Sequence, residues 1–137
     1  MFYLVEKAFA QPVIRLIYDL HTWRLVLVDQ NNEAIALAND VVGSNYNSDV
    51  QLIMIPPAIY VSEITKIAAS SNVGVGAQNS SQYQSGAYTG ELSADMLKSV
   101  GAKYVLVGHS ERREYFNEKN TVLAAKVNQL LKENLTP

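Results

Sequence analysis

Two short runs, QLIMI at 51–55 and KYVLVG at 103–108, are apolar at almost every position. A strand that is apolar on both faces has no solvent side, so it belongs in a sheet covered by helices above and below. Pro56 and Pro57 end the first run, because a central strand cannot continue through residues that lack the ladder donor. A third, slimmer run, NVGVGA at 72–77, lies between them. Helical stripes alternate with these runs. Ala34, Leu37, Ala38 and Val41 repeat at helical spacing and are stopped by 43–49. Tyr60, Ile64, Ile67 and Ala68 form a second stripe. Ser93 is placed to cap a short helix with Asp95 in its first turn and Gly101 after its end. Leu123, Val127, Leu130 and Leu131 mark a last amphipathic helix, with Lys132 near its C-terminus. This alternation predicts an α/β fold, with a parallel sheet joined by right-handed crossovers.

The first thirty residues read differently. VIRLIY at 13–18 and RLVLV at 24–28 both have strand character, and either can be the core strand or the addition. The chain has 137 residues, the size of one domain, and 48% apolar residues supply a core. A net charge of -2 without a basic segment argues against nucleic acid or an anionic membrane as partner. With no Cys, disulfides, thiolate metal sites and a thiol nucleophile are excluded, which is compatible with the cytosol. No apolar run reaches the ~18 residues of a membrane span, and Glu6 and Lys7 interrupt the N-terminal apolar stretch, unlike a signal peptide.

In parallel α/β folds, ligands gather at the carboxyl ends of the strands. Three segments lie there: Pro56-Pro57, the polar stretch 78–91, and the stretch 109–118, also read as a polar loop. His109 follows the third strand and can exchange a proton or hydrogen bond with a reacting oxygen, or can bond locally within its loop. Glu111 is close enough to orient a cation or shuttle a proton. Arg112 and Arg113 suit a phosphate or carboxylate, but a structural salt bridge, with Glu91 as candidate partner, is the favoured reading for Arg112. Gln78 and Asn79 are neutral hydrogen-bonding residues that stitch a loop. Tyr83 and Tyr88 either anchor a partner surface or fold back on the chain. No phosphate-binding loop or dinucleotide fingerprint is present, and with two His and no Cys no metal cluster or cofactor is expected.

Long motifs now add to this reading. VGAQN, GAYTGELSADMLKSVGAKYVLVGHSERR and GHSERREYFNE resemble triosephosphate isomerases almost word for word, and the likeness extends back through IPPAIYVSEI and weakly into NNEAIALANDVV. It spans about 31–137, over three quarters of the chain. The resemblance implies a (β/α)8 barrel of about 250 residues, of which this chain holds a single partial domain of about four parallel βα units. Its C-terminal half has no counterpart here. Residues 50–55, 73–77 and 103–107 take the places of strands 2, 3 and 4, and 119–133 takes that of the helix before strand 5.

The resemblance further implies interconversion of dihydroxyacetone phosphate and D-glyceraldehyde 3-phosphate in the cytoplasm, in glycolysis and gluconeogenesis. In the family a glutamate abstracts a carbon-bound proton while a neutral histidine polarises the carbonyl. His109 matches that histidine, and Glu111 matches the glutamate beside it that contacts an active-site lysine. Glu91 and Arg112 match a pair that stiffens two loops. Gln78, Asn79, Tyr88 and Thr89 fall in the loop that reaches into a sister subunit, which implies a homodimer or pairing with a complete subunit.

Two departures accompany the match. The catalytic base, the lid and the glycine-rich phosphate grip belong to later strands with no counterpart here, which implies an inactive isolated chain. At the front, the family's Asn-Trp-Lys-Met-Asn aligns with Thr22, Trp23, Arg24, Leu25 and Val26. Arg24 keeps only a positive charge at the substrate-binding lysine position, in a forked shape that does not replace an ammonium. Residues 1–30 are an atypical segment, either a foreign stretch joined near residue 30 or a divergent strand. A half barrel also leaves open sheet edges, so the chain alone is expected to be marginal in stability or prone to aggregate, unless the extra strands cover one edge.

Overall fold

The computed structural model describes residues 14–19, 23–27, 31–44 and 51–137, with the backbone alone for 14–19, 23–27 and residue 31. Five strands form one sheet in the order β2-β1-β3-β4-β5. They are β1 (Ile14–Asp19), β2 (Trp23–Leu27), β3 (Leu52–Ile55), β4 (Gly74–Ala77) and β5 (Tyr104–Val105). The helices are α1 (Asn31–Gly43), α2 (Val61–Ala68), α3 (Ala94–Ser99), α4 (Ser110–Tyr115) and α5 (Asn120–Lys132), with a 3-10 turn at Ala58–Tyr60.

The parallel centre follows from the apolar runs. Ile53 pairs with Gly74 and Met54 with Val75, then Gly76 pairs with Tyr104 and Ala77 with Val105. All four residues of β4 are buried. Its glycines are steric requirements, since a Cβ on Gly76 would lie 2.8 Å from the carbonyl oxygen of Tyr104 and 2.9 Å from its Cβ. The core is the apolar layer between sheet and helices: Ala34, Ala38 and Val41 of α1, Val61 and Ile64 of α2, Leu97 of α3 and Leu130 of α5 close over Leu52, Met54, Val75 and Val105. The α1 positions and Ile64 lie on the predicted stripes, whereas Val61 does not, and Tyr60, expected on that stripe, is only half-buried. On α5 the stripe is shifted, with Leu131 exposed and Lys126 buried in its place.

Helix ends explain how the chain returns to the sheet. The Ser93 hydroxyl accepts the Met96 N–H at 3.2 Å, as a cap should. At its other end Gly101 takes φ +87°, Gly101 N–H bonds to Lys98 O and Ala102 N–H bonds to Leu97 O. Asn134 repeats the arrangement after α5, with φ +59°, its own N–H on Leu131 O and Leu135 N–H on Leu130 O. Both are Schellman terminations, one with the residue best suited to positive φ and one with the next best.

The edges of the sheet hold what the sequence left open. On the β3 side, β1 is the immediate neighbour and it runs antiparallel, pairing Leu16 with Ile55 and Asp19 with Leu52. β2 pairs antiparallel with β1 and so stands at the outer edge. On the β5 side, Thr136 bridges Tyr104 in parallel, with Thr136 N–H on Lys103 O and Val105 N–H on Thr136 O, both at 2.9 Å. The segment after α5 therefore opens a further parallel strand, which the sequence reading did not expect. The architecture is a partial, unclosed segment of a TIM barrel.

Candidate active site

The carboxyl ends of β3, β4 and β5 meet at an open cleft of about 940 Å³. Ala58, Gln78, Asn79, Leu92, Leu106, His109, Glu111, Arg112, Tyr115 and Phe116 line it, so the 78–91 and 109–118 segments both contribute, while at the end of β3 it is Ala58, not Pro56-Pro57, that reaches it. Gln78 ties two strand ends together, its side-chain N–H donating to Ile55 O at 3.3 Å.

The stretch 109–118 is not simply a loop. Residues 110–115 form α4, and His109 is its N-cap, with extended ψ of 141°. The imidazole Nδ1 accepts the backbone N–H of Glu111 at 3.3 Å. A neutral ring that accepts at Nδ1 carries its proton on Nε2, so the helix start selects the tautomer and leaves Nε2–H as the ring's donor. The Glu111 carboxylate lies 3.6 Å from the same Nδ1 and is half-exposed. Gly108, at φ +79°, makes the turn that delivers His109 from strand to helix. The polar composition of 109–118 hid this helix because α4 has no buried residue and therefore no apolar stripe.

The arginines are committed within the chain. Arg113 donates to Gly108 O at 3.2 Å and to Asn120 Oδ1 at 2.8 Å. Arg112 donates to Glu118 Oε1 at 2.8 Å, and its guanidinium lies 4.4 Å from the centre of the Phe116 ring. The anticipated Glu91–Arg112 pair is not formed: Glu91 is exposed on the cleft wall, and Glu118 holds the arginine. Glu118 also accepts from Lys126 at 2.6 Å, and Lys126 reaches Asn79 Oδ1 at 2.6 Å. Burial pushes the Glu118 carboxyl up, but hydrogen bonds from Lys126 and Arg112, with the charges of both cations, outweigh it and hold the group below the usual glutamate range. Lys126 and Glu118 were missed in the sequence. The available signal was a lysine set into the Leu123–Leu130 stripe, where a charge is retained only with partners.

The 78–91 segment has no helix or strand, as expected. Ser81 N–H donates to Leu92 O at 2.7 Å and closes its base. At the tip, Tyr83 and Tyr88 stack with ring centroids 3.9 Å apart and planes 1° from parallel, so they fold on each other while staying partly exposed. Thr89 is exposed beside them. Arg24 lies in β2 opposite Ile17, with β1 between it and β3, and its side chain is outside the described residues. Among the described residues, no group of three His, Asp or Glu is placed to hold a metal ion, and no helix is long and apolar enough to cross a membrane.

An open (β/α) barrel segment that gathers a histidine, a glutamate and an arginine in a cleft at its carboxyl rim has the layout of a (β/α)-barrel protein, in which ligands gather at that rim. The triosephosphate isomerase family profile matches residues 25–137, and the chain belongs to that family. It is 40% identical over 115 residues to the triosephosphate isomerase of Alkaliphilus oremlandii, covering 84% of this chain and 46% of the relative. It is 49% identical over 108 residues to that of Cytophaga hutchinsonii, covering 77% and 43%, and 53% identical over 87 residues to that of Marinobacter nauticus, covering 64% and 34%. The chain thus spans less than half the length of these relatives.

Proposed function

We propose that this chain carries the histidine side of a triosephosphate isomerase site, acting on dihydroxyacetone phosphate and D-glyceraldehyde 3-phosphate in the cytoplasm. The observation that carries the reading is the His109 cap, with Nδ1 engaged by Glu111 N–H and the ring on the cleft wall. In that role Nε2–H donates to the substrate carbonyl oxygen as negative charge develops there during enediolate formation. A neutral donor suits this step because it stabilises the oxygen without a full proton transfer. Glu111 orients a cation at the substrate, and the sequence resemblance alone puts Arg24 forward for that cation, one residue before the stretch that matches the family profile. The proton itself is taken by a carboxylate base for which these 137 residues have no counterpart, so the 137-residue chain alone is expected to show no turnover. General acid–base groups contribute about 10²–10⁴-fold, and the oriented pocket adds more. A coupled isomerase assay tests this. Turnover by the chain, alone or assembled with a polypeptide supplying the base, should disappear on His109→Ala. Turnover that survives the substitution overturns the assignment of His109.

The second reading is a non-catalytic partner that binds a complete subunit through the 78–91 loop. The closed base of that loop and the exposed positions of Tyr88, Thr89 and Glu91 favour it. In this reading Gln78, Asn79 and Arg112 shape the loop for the partner. Co-elution with a complete isomerase subunit, lost on Tyr88→Ala or Thr89→Ala, is the expected result. Co-elution unaffected by either change would remove the loop from the interface.

A further inference from the structure

α4 presents His109, yet not one of its six residues is buried. Its aromatic end residues, Tyr115 and the following Phe116, are 72% and 64% exposed. A helix without apolar burial is not positioned by the core. What holds it is polar. Arg112 N–H bonds to His109 O, Glu118 N–H bonds to Arg112 O, and Asn117 at φ +53° turns the chain so that the Glu118 side chain comes inward. There Glu118 meets Arg112 and Lys126 on one carboxylate oxygen, with both Glu118 and Lys126 side chains more than nine-tenths buried. Lys126 extends the connection to Asn79, at the base of the 78–91 loop. Buried ion pairs are poor stabilisers compared with apolar packing, so their effect here is better sought in geometry.

We infer that Lys126 and Glu118 are positioning residues: together they clasp α4 to α5 and to the start of the 78–91 loop, and so set where His109 stands. Neither residue lines the cleft that holds His109. The inference rests on the proposed function only for what His109 does once positioned. Its physical content is a division of labour. The apolar core fixes the sheet, and the clasp fixes the two rim segments that the core does not reach.

The test uses the whole chain and Lys126→Met, which keeps an apolar stem and removes the charge. Two readouts are taken: amide hydrogen exchange, and the 15N signals of the His109 ring, assigned by their loss in His109→Gln. Exchange at Ser81 and Phe116 should accelerate by roughly tenfold or more, as expected when a buried charged group loses its partner. Exchange at Lys103 and Leu106, whose amides bond into β4, should not change. The His109 ring, one tautomer in the parent chain, should become a mixture. Unchanged rim exchange and an unchanged tautomer would overturn the inference. So would equal acceleration at Lys103 and Leu106, because the cluster would then stabilise the whole fold without positioning anything. If Lys126→Met does not fold, Asn79→Ala decides: it cuts one arm of the clasp and should loosen Ser81 while sparing Phe116 and His109. Loosening of both, or of neither, would overturn it. No readout uses turnover, so turnover that survives His109→Ala would overturn the proposed function and leave this inference standing.

Discussion

The two flanks of the parallel centre, β1–β2 and 135–137, extend the same sheet in opposite senses. On the β5 side the chain leaves through α4 and α5 and comes back parallel, pairing Thr136 with Tyr104. On the β3 side the neighbour is a hairpin strand, β1, and it lies antiparallel. The difference follows from connection length. Residues 20–22 alone join β1 to β2, and so short a link can return the chain only antiparallel. A helix between strands permits the parallel return, which is how a barrel grows by one unit. The β5 flank can therefore continue as a barrel. The β3 flank instead receives its hydrogen-bond partners from β1, an antiparallel strand inserted between β3 and β2 that is not itself part of a βα unit.

If β1 and β2 occupy the edge in this way, deleting residues 14–27 should have the largest effect. The β3 edge would be left unpaired, and the expected outcome is loss of the monodisperse species, read by light scattering after size-exclusion chromatography. A variant that stays monodisperse would mean the hairpin is dispensable and the two flanks equivalent. On the other flank, Leu130→Ala removes a fully buried side chain. A loss of about 2–5 kcal/mol in urea unfolding is expected. Between the flanks, Gly76→Ala pushes a methyl against the backbone of Tyr104, and about 1–3 kcal/mol should be lost from overpacking. The smallest effect belongs to Lys98→Ala. Its 3.1 Å pair with Glu133 is partly exposed, so less than about 1 kcal/mol is expected, diminishing further with salt.

Acid sharpens the contrast between core and rim. The folded pKa of Glu118 lies below its ordinary value of 4.5, so its pair with Lys126 and Arg112 contributes stability that is fully present above that value. The contribution is lost as pH falls through the lowered folded pKa. Urea midpoints measured from neutral pH downward should therefore fall more steeply in the parent chain than in Glu118→Gln. Parallel profiles would show that Glu118 is not linked to folding.

Much of this was legible in the residues. Leu52–Ile55 and Val105 declared themselves by continuous apolarity, Ala34, Ala38, Ile64 and Ala68 by helical spacing, and Ser93 and Gly101 by capping chemistry. His109 was identifiable because it follows the apolar run 103–108, of which only Tyr104–Val105 is strand. α4 was not legible, since a helix held by polar bonds leaves no apolar period. The pairing of Arg112 with Glu118 instead of Glu91 was equally hidden, because several carboxylates are near Arg112 in the chain and only the turn at Asn117 selects one.

The sequence by itself determined the strands, most of the helices, the family and the rim on which His109 stands, since all depend on local patterns of apolarity, capping and motif. Tertiary structure alone decided the insertion of β1 between β2 and β3, the burial of Lys126 against Asn79 and Glu118, and the choice of Glu118 over Glu91 as partner of Arg112. Those outcomes depend on which distant groups meet. A buried charge or an open sheet edge takes whichever partner the assembled fold brings within hydrogen-bond reach.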